Sequence, residues 1–425
     1  MIARIAKCVC SLCAEPLHSP HTQCLASHQK TLETDMSARR GSPFALVAAH
    51  VAGMIDLVAL PVWVNTLIER FHFDAQRAGA LATAYLACAV VCSVCIAPLI
   101  ARLPGRLAAA SGFALAACGF ALAAHATTFG GMLAAHATAG IGVGGGLSVA
   151  HGAIGRTANP HRLFALGHLA LALFGVVYFA ATPTLIALHG GAALFVVFAA
   201  VSIAAALSLA LAWPATAAAD AGAPRREATR LMDTRFERGC WSAIIGIVFM
   251  AINQAMVFSF AQRIGLAHGF GDARVNAVLV AVGLVNLLPS ALAALLQGRL
   301  DARNVALAGP IAQSVLALVL CNTTSFAPYA LAASLWVFAM IFTHTFLFGL
   351  LARLDKTGRA VAYTPAMLMA GSAVGPLLGG MLIVRFGFGA LGFAAVLIGL
   401  FSFLFFSRLR SVARTQTHFE LPPAR

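Results

Sequence analysis

Three long stretches without a charged side chain constrain this chain more than any other feature. Residues 107–155, 163–219 and 304–352 contain no Asp, Glu, Lys or Arg. A helix that crosses a membrane needs about 20 largely apolar residues, so each stretch can hold two such helices. A soluble domain carries about 25% charged residues, whereas this chain carries 10% and is 60% hydrophobic. The sequence therefore predicts an all-α membrane protein.

Twelve hydrophobic segments can be placed along the chain. They are predicted at 44–67, 78–101, 107–128, 130–152, 163–186, 191–214, 240–262, 275–297, 304–323, 327–351, 361–384 and 387–407. The longest polar linker separates the first six segments from the last six. The predicted domains are a disordered cytoplasmic tail over 1–42, a six-helix bundle over 43–214, a cytoplasmic linker over 215–239, a second six-helix bundle over 240–407 and a cytoplasmic tail over 408–425.

The basic residues predict the orientation of these segments. Alternate loops on one side hold five Lys and Arg, and the tails and loops of the other side hold the remaining 23 of 28. The five are Arg70, Arg77, Arg263, Arg274 and Arg385. Because cytoplasmic loops carry the excess of Lys and Arg, we expect a multi-pass protein of the bacterial inner membrane with both termini in the cytoplasm. This scatter of basic residues between apolar segments also argues against nucleic-acid binding, despite a net charge of +14.

The two halves of the sequence resemble each other. Charge-free runs of equal length start at Leu107 and Asn304, each after a short basic loop. The first run contains Thr127-Thr128-Phe129 and the second contains Thr323-Thr324-Ser325-Phe326. Duplicated six-helix units are typical of alternating-access transporters, in which the solute site lies between the repeats.

One motif near the C-terminus carries a family resemblance. The run from Gly371 to Gly380 fits the pattern G-x-x-x-G-P-x-x-G-G, with its fixed positions at Gly371, Gly375, Pro376, Gly379 and Gly380. Glycines four apart allow close helix packing, and proline bends a helix. With this motif, residues 42–410 resemble the major facilitator superfamily, which implies a secondary transporter of two six-helix bundles. Antiporters of that family carry the pattern in helix 5, whereas here it lies in helix 11. Export is preferred over uptake, and a proton-coupled uptake symporter is the alternative.

Two basic loops resemble the gate motif of the same family. The loop after the second segment contains Arg102, Gly105 and Arg106, with arginine where the family has aspartate. Its counterpart in the second half contains Asp301 and Arg303. The resemblance implies a latch on the cytoplasmic side, and a loop that only sets the topology is the alternative.

Asp56 is the strongest candidate for a residue that moves protons. Of the fourteen acidic residues, it is the one that lies deep inside a predicted span. A carboxylate at that depth costs about 2.5–3.5 kcal/mol to insert, so such residues are usually functional. We expect Asp56 to hold a proton or cation, and Pro61 to help the helix flex. A structural, hydrogen-bonded aspartate is the alternative.

His136 takes the position at which the family often has a proton-coupling arginine in helix 4, followed here by Gly140. A role in coupling protons and a structural role are both open, since imidazole titrates near neutral pH. Gly140 is predicted to serve close helix packing.

Polar residues of the second half are candidates for the solute cavity. Asn253 and Gln254 lie at the middle of the seventh segment, and His344 lies in the tenth. Polar residues also hold transmembrane helices together, and this alternative stays open. His50 and His168 are weaker candidates, while His125, His151 and His189 lie near span ends.

The N-terminal tail carries residues of the metal-binding types, including Cys8, Cys10, Cys13, His18 and His21. Their spacing fits no standard zinc module, so we predict no metal site and no cofactor. A start of translation at Met36 would remove these residues.

The sequence thus predicts a monomeric transporter whose partners are a small organic solute, protons and the lipid bilayer. Few charges lie within the spans, which favours a neutral, weakly charged or cationic solute. A membrane enzyme would need clustered ligands or paired carboxylates, and none is found. A solute sensor or scaffold on a transporter fold is the remaining alternative.

Overall fold

The computed structural model describes residues 44–100, 102–157, 159–213, 238–355, 360 and 364–409. Twelve helices in this part are long and apolar enough to cross a membrane, which confirms the predicted number. They are α1 Phe44–Glu69, α2 Ala75–Leu99, α3 Gly105–His125, α4 Phe129–Gly155, α5 Arg162–His189, α6 Ala192–Ala212, α7 Arg238–Ala267, α8 Asp272–Leu296, α9 Ala302–Asn322, α10 Phe326–Leu354, α11 Ala366–Phe386 and α12 Gly389–Ser407. The predicted tails and linker lie almost entirely outside the described residues.

The helices form two bundles that repeat one packing scheme. In the first bundle, α3 packs against α4 and α6, and α1 packs against α5. In the second, α9 packs against α10 and α12, and α7 packs against α11. The same helix pairs thus recur six helices later, as a duplicated unit requires. This arrangement confirms the predicted fold of two pseudo-symmetric six-helix bundles.

Successive helices run in opposite directions, which defines two faces of the molecule. We call the face that holds the start of α1 and the end of α12 the terminal face, and the other the opposite face. The turns after α1, α3, α5, α7, α9 and α11 lie at the opposite face. Thr128 caps α4 there, because its hydroxyl accepts a hydrogen bond from the Gly131 backbone.

The two bundles contact each other in the half of the molecule near the opposite face. The start of α2 packs against the end of α11, and the Leu377 backbone N–H donates to Thr83 Oγ1 at 3.2 Å. Arg263 at the end of α7 forms an ion pair with Glu69 at the end of α1. Near mid-span, Gly283 of α8 faces Val176 of α5. The gap between the bundles is therefore closed at the opposite face.

Near the terminal face, α2, α5 and α8 carry exposed side chains. Val94 of α2 is 61% exposed and Leu295 of α8 is 77% exposed. Cys95 of α2 and His168 of α5 are exposed as well. Because the described contacts between the bundles lie at mid-span and near the opposite face, the gap between the bundles opens toward the terminal face.

Candidate transport site

Asp56 lies at a break in α1. Residues 54–55 form a turn that divides the helix, and Asp56 is the first residue of the second segment, Asp56–Glu69. The Leu57 and Val58 N–H groups donate to carbonyls only three residues earlier, at 3.2 and 3.1 Å. Such a tightened stretch inside a helix often marks a hinge. Pro61 has no N–H that could donate to the Leu57 carbonyl, so a backbone hydrogen bond of the helix is also missing about one turn later.

The Asp56 carboxyl is buried and unpaired. Its side chain is 1% exposed, and neither carboxyl oxygen has a hydrogen-bond partner among the described residues. The Tyr85 hydroxyl of α2 lies within electrostatic range and likewise has no partner in that part of the chain. Because an unpaired charge is expensive in an apolar interior, the site fits a carboxyl that holds a proton while it is occluded.

A small cavity lies beside the second segment of α1, where the two bundles meet. Its volume is about 10 Å³, the space of one water molecule. Val58, Gly175, Phe258 and Val337 contribute apolar walls from both bundles. Asn286 is the polar residue among the described lining, and its side-chain oxygen lacks a hydrogen-bond partner among the described residues. The mid-span contact between the bundles is therefore narrow and nearly dry.

His136 lies inside the first bundle, away from the gap. It is fully buried, and its Nε2 accepts a hydrogen bond from Trp63 Nε1 at 3.1 Å. Its Nδ1 is 2.8 Å from the Met132 carbonyl, to which it donates. Both ring nitrogens are thus satisfied in a neutral imidazole. The environment favours the structural alternative for His136, and a role in coupling stays a prediction.

The three predicted cavity residues lie in different surroundings. Asn253 has no exposed surface, and its Nδ2 donates to the Ala395 carbonyl of α12 at 3.2 Å. Gln254 is half-buried and accepts a hydrogen bond from Gln313 Nε2 at 3.2 Å. His344 is half-buried and stacks on Phe348 with ring centroids 4.8 Å apart. Their roles in solute binding stay predictions, and the placement of Asn253 favours helix packing.

The glycine motif of α11 packs on two neighbours. A Cβ at Gly371 or Gly375 would lie 2.6 Å from backbone atoms of α7, at Val248 O and Met256 N. A Cβ at Gly379 would meet Phe260 of α7 at 2.8 Å. Pro376 and Gly380 lie against the backbone of α2, at Gly79 and Ala75. The motif therefore joins α11 to its own bundle on one side and to the other bundle on the second side.

Gly140 and the two basic loops each pack within one bundle. Gly140 of α4 lies against the Tyr85 carbonyl of α2, so a side chain there would overlap the backbone. A Cβ at Gly105 would lie 2.6 Å from the Trp213 ring at the end of α6. Arg303 Nε donates to the Leu409 carbonyl after α12 at 2.6 Å.

The other loop residues make fewer contacts. Arg102 and Arg106 are exposed, and Asp301 makes no capping bond to α9. The loops lie at the terminal face, where a latch is expected, and their gating role stays a prediction.

Two features of the site are absent from the sequence-based candidates. Tyr85 beside Asp56 carries no signal in its local sequence, since a tyrosine in an apolar helix usually serves packing. The ion pair between Glu69 and Arg263 links residues nearly two hundred positions apart, and each residue alone reads as an interfacial charge. A tertiary contact was needed to identify either.

The chain is similar to a known protein family and to several solved transporter structures. A family model described as Major Facilitator Superfamily matches residues 45–354. The structure of a D-xylose-proton symporter shares 15% identity at a TM-score of 0.63, covering 87% of this chain and 99% of that one. The E. coli xylose transporter XylE in an inward open conformation shares 14% identity at a TM-score of 0.65, covering 88% and 97%. A bacterial homologue of the human lysosomal transporter Spinster, inward-facing and occupied, shares 14% identity at a TM-score of 0.63, covering 86% and 95%. A search among curated sequences gives no significant match.

Proposed function

Since this chain belongs to the major facilitator superfamily, we propose that it is a proton-coupled secondary transporter of a small organic solute, with Asp56 as the residue that carries the coupled proton. The protein is a transporter and not an enzyme, and it spans the membrane many times. One observation carries the proposal: Asp56 is an occluded carboxyl without a partner among the described residues, at a break in α1. Discontinuous helices supply ion and substrate sites in many transporters.

The geometry supports alternating access with the terminal face open. The contacts of α2 with α11 and of Glu69 with Arg263 close the opposite face. Rocking of one bundle against the other must break these contacts and form new ones near the terminal face. The break before Asp56 lies near mid-span, so this movement can expose the carboxyl to each side in turn. We propose that the terminal face is cytoplasmic, as the distribution of Lys and Arg indicates.

Two directions of transport remain candidates, each favoured by one observation. The G-x-x-x-G-P pattern favours export by proton antiport, through its resemblance to family antiporters. The structural likeness to a D-xylose-proton symporter favours uptake with protons. Asp56 serves either direction, because a single carboxyl can exchange its proton for solute or move together with it.

A screen in membrane vesicles tests the function and its direction. Right-side-out and everted vesicles, with and without the protein, are energised with a pH gradient and offered a panel of labelled organic solutes. We expect at least one solute to accumulate in one vesicle orientation and to be released by a protonophore. Accumulation that persists after the gradient is collapsed would contradict proton coupling. A protein that binds a solute and moves none would favour the sensor or scaffold instead.

The orientation gives a separate prediction. Topology reporters fused after Arg230 and after Phe129 should be active on the cytoplasmic and the periplasmic side, respectively. The physical reason is the uneven distribution of Lys and Arg along the sequence: the tails and loops predicted to be cytoplasmic hold 23 of them, the remaining loops hold five, and this excess resists translocation. A third fusion after Gly269, in the α7–α8 turn, serves as a control and should match the one after Phe129. The reverse pattern at all three positions would contradict the proposed orientation.

A further inference from the structure

Three histidines from three helices of the first bundle meet near the terminal face. His50 Nδ1 of α1 and His151 Nε2 of α4 lie 3.0 Å apart and share a hydrogen bond. The rings of His50 and His168 of α5 have centroids 4.7 Å apart. We call His50, His151 and His168 the histidine cluster. Gly167 permits this approach, because a Cβ there would lie 2.8 Å from the His50 ring.

The cluster faces a fourth histidine across the gap. His344 belongs to α10 of the second bundle. Val337 of α10 and Ala172 of α5 line the same small cavity at mid-span, and His344 and His168 lie one to two turns nearer the terminal face on these helices. His168 is exposed although it adjoins the buried His50, so its free surface belongs to the wall of the open gap. His168 and His344 therefore lie on the two sides of the path that opens at the terminal face, and the buried His50 lies behind His168.

These rings have hydrogen-bonding capacity that the described residues leave unused. His168 Nδ1 is occupied by the Phe164 carbonyl at 2.8 Å, which leaves Nε2 for the gap. His50 Nε2 and His344 Nδ1 are buried atoms without a partner among the described residues. A neutral imidazole has one donor and one acceptor, whereas the imidazolium has two donors. Protonation would thus turn this wall into a set of donors for an acceptor ligand.

The charges on the surrounding helices are almost all positive. Toward the terminal face, α4 carries Arg156, α5 carries Arg162 and α10 carries Arg353. In α8, which also packs on α5, the charged residues lie at the opposite face, and α6 is free of charge. Asp355 follows α10 and accepts a hydrogen bond from the Ala360 backbone. Asp56 is six residues beyond His50 in α1, toward the opposite face.

Charge on the histidine cluster therefore needs a counter-ion from outside the protein. Neighbouring imidazoliums repel one another, and a buried charge without a partner is costly. The described parts of α1, α4 and α5 carry no carboxylate between the cluster and the terminal face. An anion that enters from the terminal face can supply this charge, and each ligand then favours the binding of the other.

We propose that the histidine cluster and His344 form a proton-dependent binding site for the carboxylate group of an organic anion. The proposal rests on the transport function proposed above and narrows its solute class, against the sequence-based preference for neutral or cationic solutes. The proton taken up with the anion resides on the imidazoles and is separate from the proton held by Asp56. The imidazole proton balances the charge of the carboxylate while the anion is bound near the terminal face, whereas the proton that drives transport is the one held by Asp56.

Calorimetric titration of the purified protein in a neutral detergent tests this site without knowledge of the natural solute. The probes are benzoate and its neutral counterpart benzamide, each titrated at several values between about pH 6 and about pH 8. If one proton is bound with each anion, benzoate affinity should fall by about tenfold per pH unit as the pH rises. Benzamide binding should be absent or independent of pH. Benzoate binding that is absent throughout this range overturns the proposal.

Variants separate this site from a general effect of histidine. Because His168 is exposed, His168→Gln should leave the fold intact. His344→Gln removes the imidazole that the second bundle contributes. Each variant should abolish the pH-dependent component of benzoate binding. His189→Gln, an exposed histidine at the opposite face, is the matched control and should bind as the wild type does. Unchanged binding in both His168→Gln and His344→Gln overturns the site.

Two further experiments are needed. One distinguishes a soluble anion from a lipid headgroup, and the other separates this site from the proposed role of Asp56. Addition of phosphatidylglycerol should leave benzoate affinity unchanged, and full competition would show a lipid headgroup site and overturn the proposal. Asp56→Asn should keep the pH-dependent binding of benzoate, because the two protons are separate. If binding survives in Asp56→Asn while gradient-driven transport also survives, the role of Asp56 fails and the anion site stands.

Discussion

Replacement of Asp56 by asparagine should abolish gradient-driven transport while the protein still reaches the membrane at normal levels. Asparagine keeps the shape of the side chain and much of its hydrogen-bonding capacity but cannot carry a proton. Among the described spans, no other carboxyl lies at this depth. A coupled proton therefore has no second acid at mid-span to occupy. Exchange of labelled for unlabelled solute should persist, since rocking of the bundles does not require the charge.

His136→Ala is the matched control for this result. It also removes a buried titratable group, but one whose ring nitrogens are both engaged, by Trp63 and by the Met132 carbonyl. We expect it to lower stability by about 1–3 kcal/mol through the orphaned Trp63 N–H, and to reduce transport less than Asp56→Asn does. Thermal unfolding and gradient-driven transport are measured on both variants. If His136→Ala uncouples transport while Asp56→Asn retains it, the two roles are the reverse of those proposed.

Replacement of Gly380 by leucine should stop the transport cycle by blocking closure of the opposite face. A Cβ at Gly380 would overlap the Ala75 carbonyl and lie 2.8 Å from the Gln76 Cα, so the obstacle is backbone that cannot rotate away. The bundles must then separate at the α2–α11 contact. Each bundle keeps its own packing, so we expect a folded protein with solute exchange and accumulation both lost. Spin labels at the opposite-face ends of α2 and α11 should report a longer distance than in the wild type.

Gly130→Leu provides the control for Gly380→Leu. Gly130 lies at the start of α4 near the same face, and a Cβ there would have no neighbour within 4 Å. The same chemical change should therefore leave transport and the spin-label distance unaltered. Thr83→Val offers an intermediate test, because it removes only the acceptor of the Leu377 N–H. Normal transport by Gly380→Leu at an unchanged distance would show that this contact is not part of the cycle.

The number and order of the helices could be predicted because the membrane imposes a length on each apolar segment. The charge-free runs from 107 to 155 and from 304 to 352 each hold a pair of helices, as observed for α3 with α4 and α9 with α10. The break in α1 could not be predicted. Residues 54 and 55 are Met and Ile, and although Gly53 precedes the turn and Pro61 follows it, glycine and proline are also frequent in transmembrane helices.

Only part of the candidate site can be predicted from the sequence. The depth of a residue in the membrane follows from its position within one apolar segment, whereas the helix that its side chain contacts depends on how the helices pack. The depth of Asp56 follows from its place within one span. Asn253 and Gln254 are adjacent, yet a step of one residue turns about 100° around a helix, and they contact different helices. His50 and His151 are 101 residues apart in sequence and meet only after α1 and α4 pack. The sequence predicts His151 near a span end and gives no sign of its contact with His50.

Proton movement during solute transport tests the central proposal most directly. Proteoliposomes containing the wild type or Asp56→Asn enclose a pH-sensitive dye, and a solute identified in the vesicle screen is added without an imposed pH gradient. We predict that the wild type changes the internal pH in proportion to the solute that it moves. Asp56→Asn should leave the internal pH unchanged, while exchange of labelled for unlabelled solute continues. An unchanged ratio of protons to solute in Asp56→Asn would contradict the assignment of Asp56 as the coupling residue.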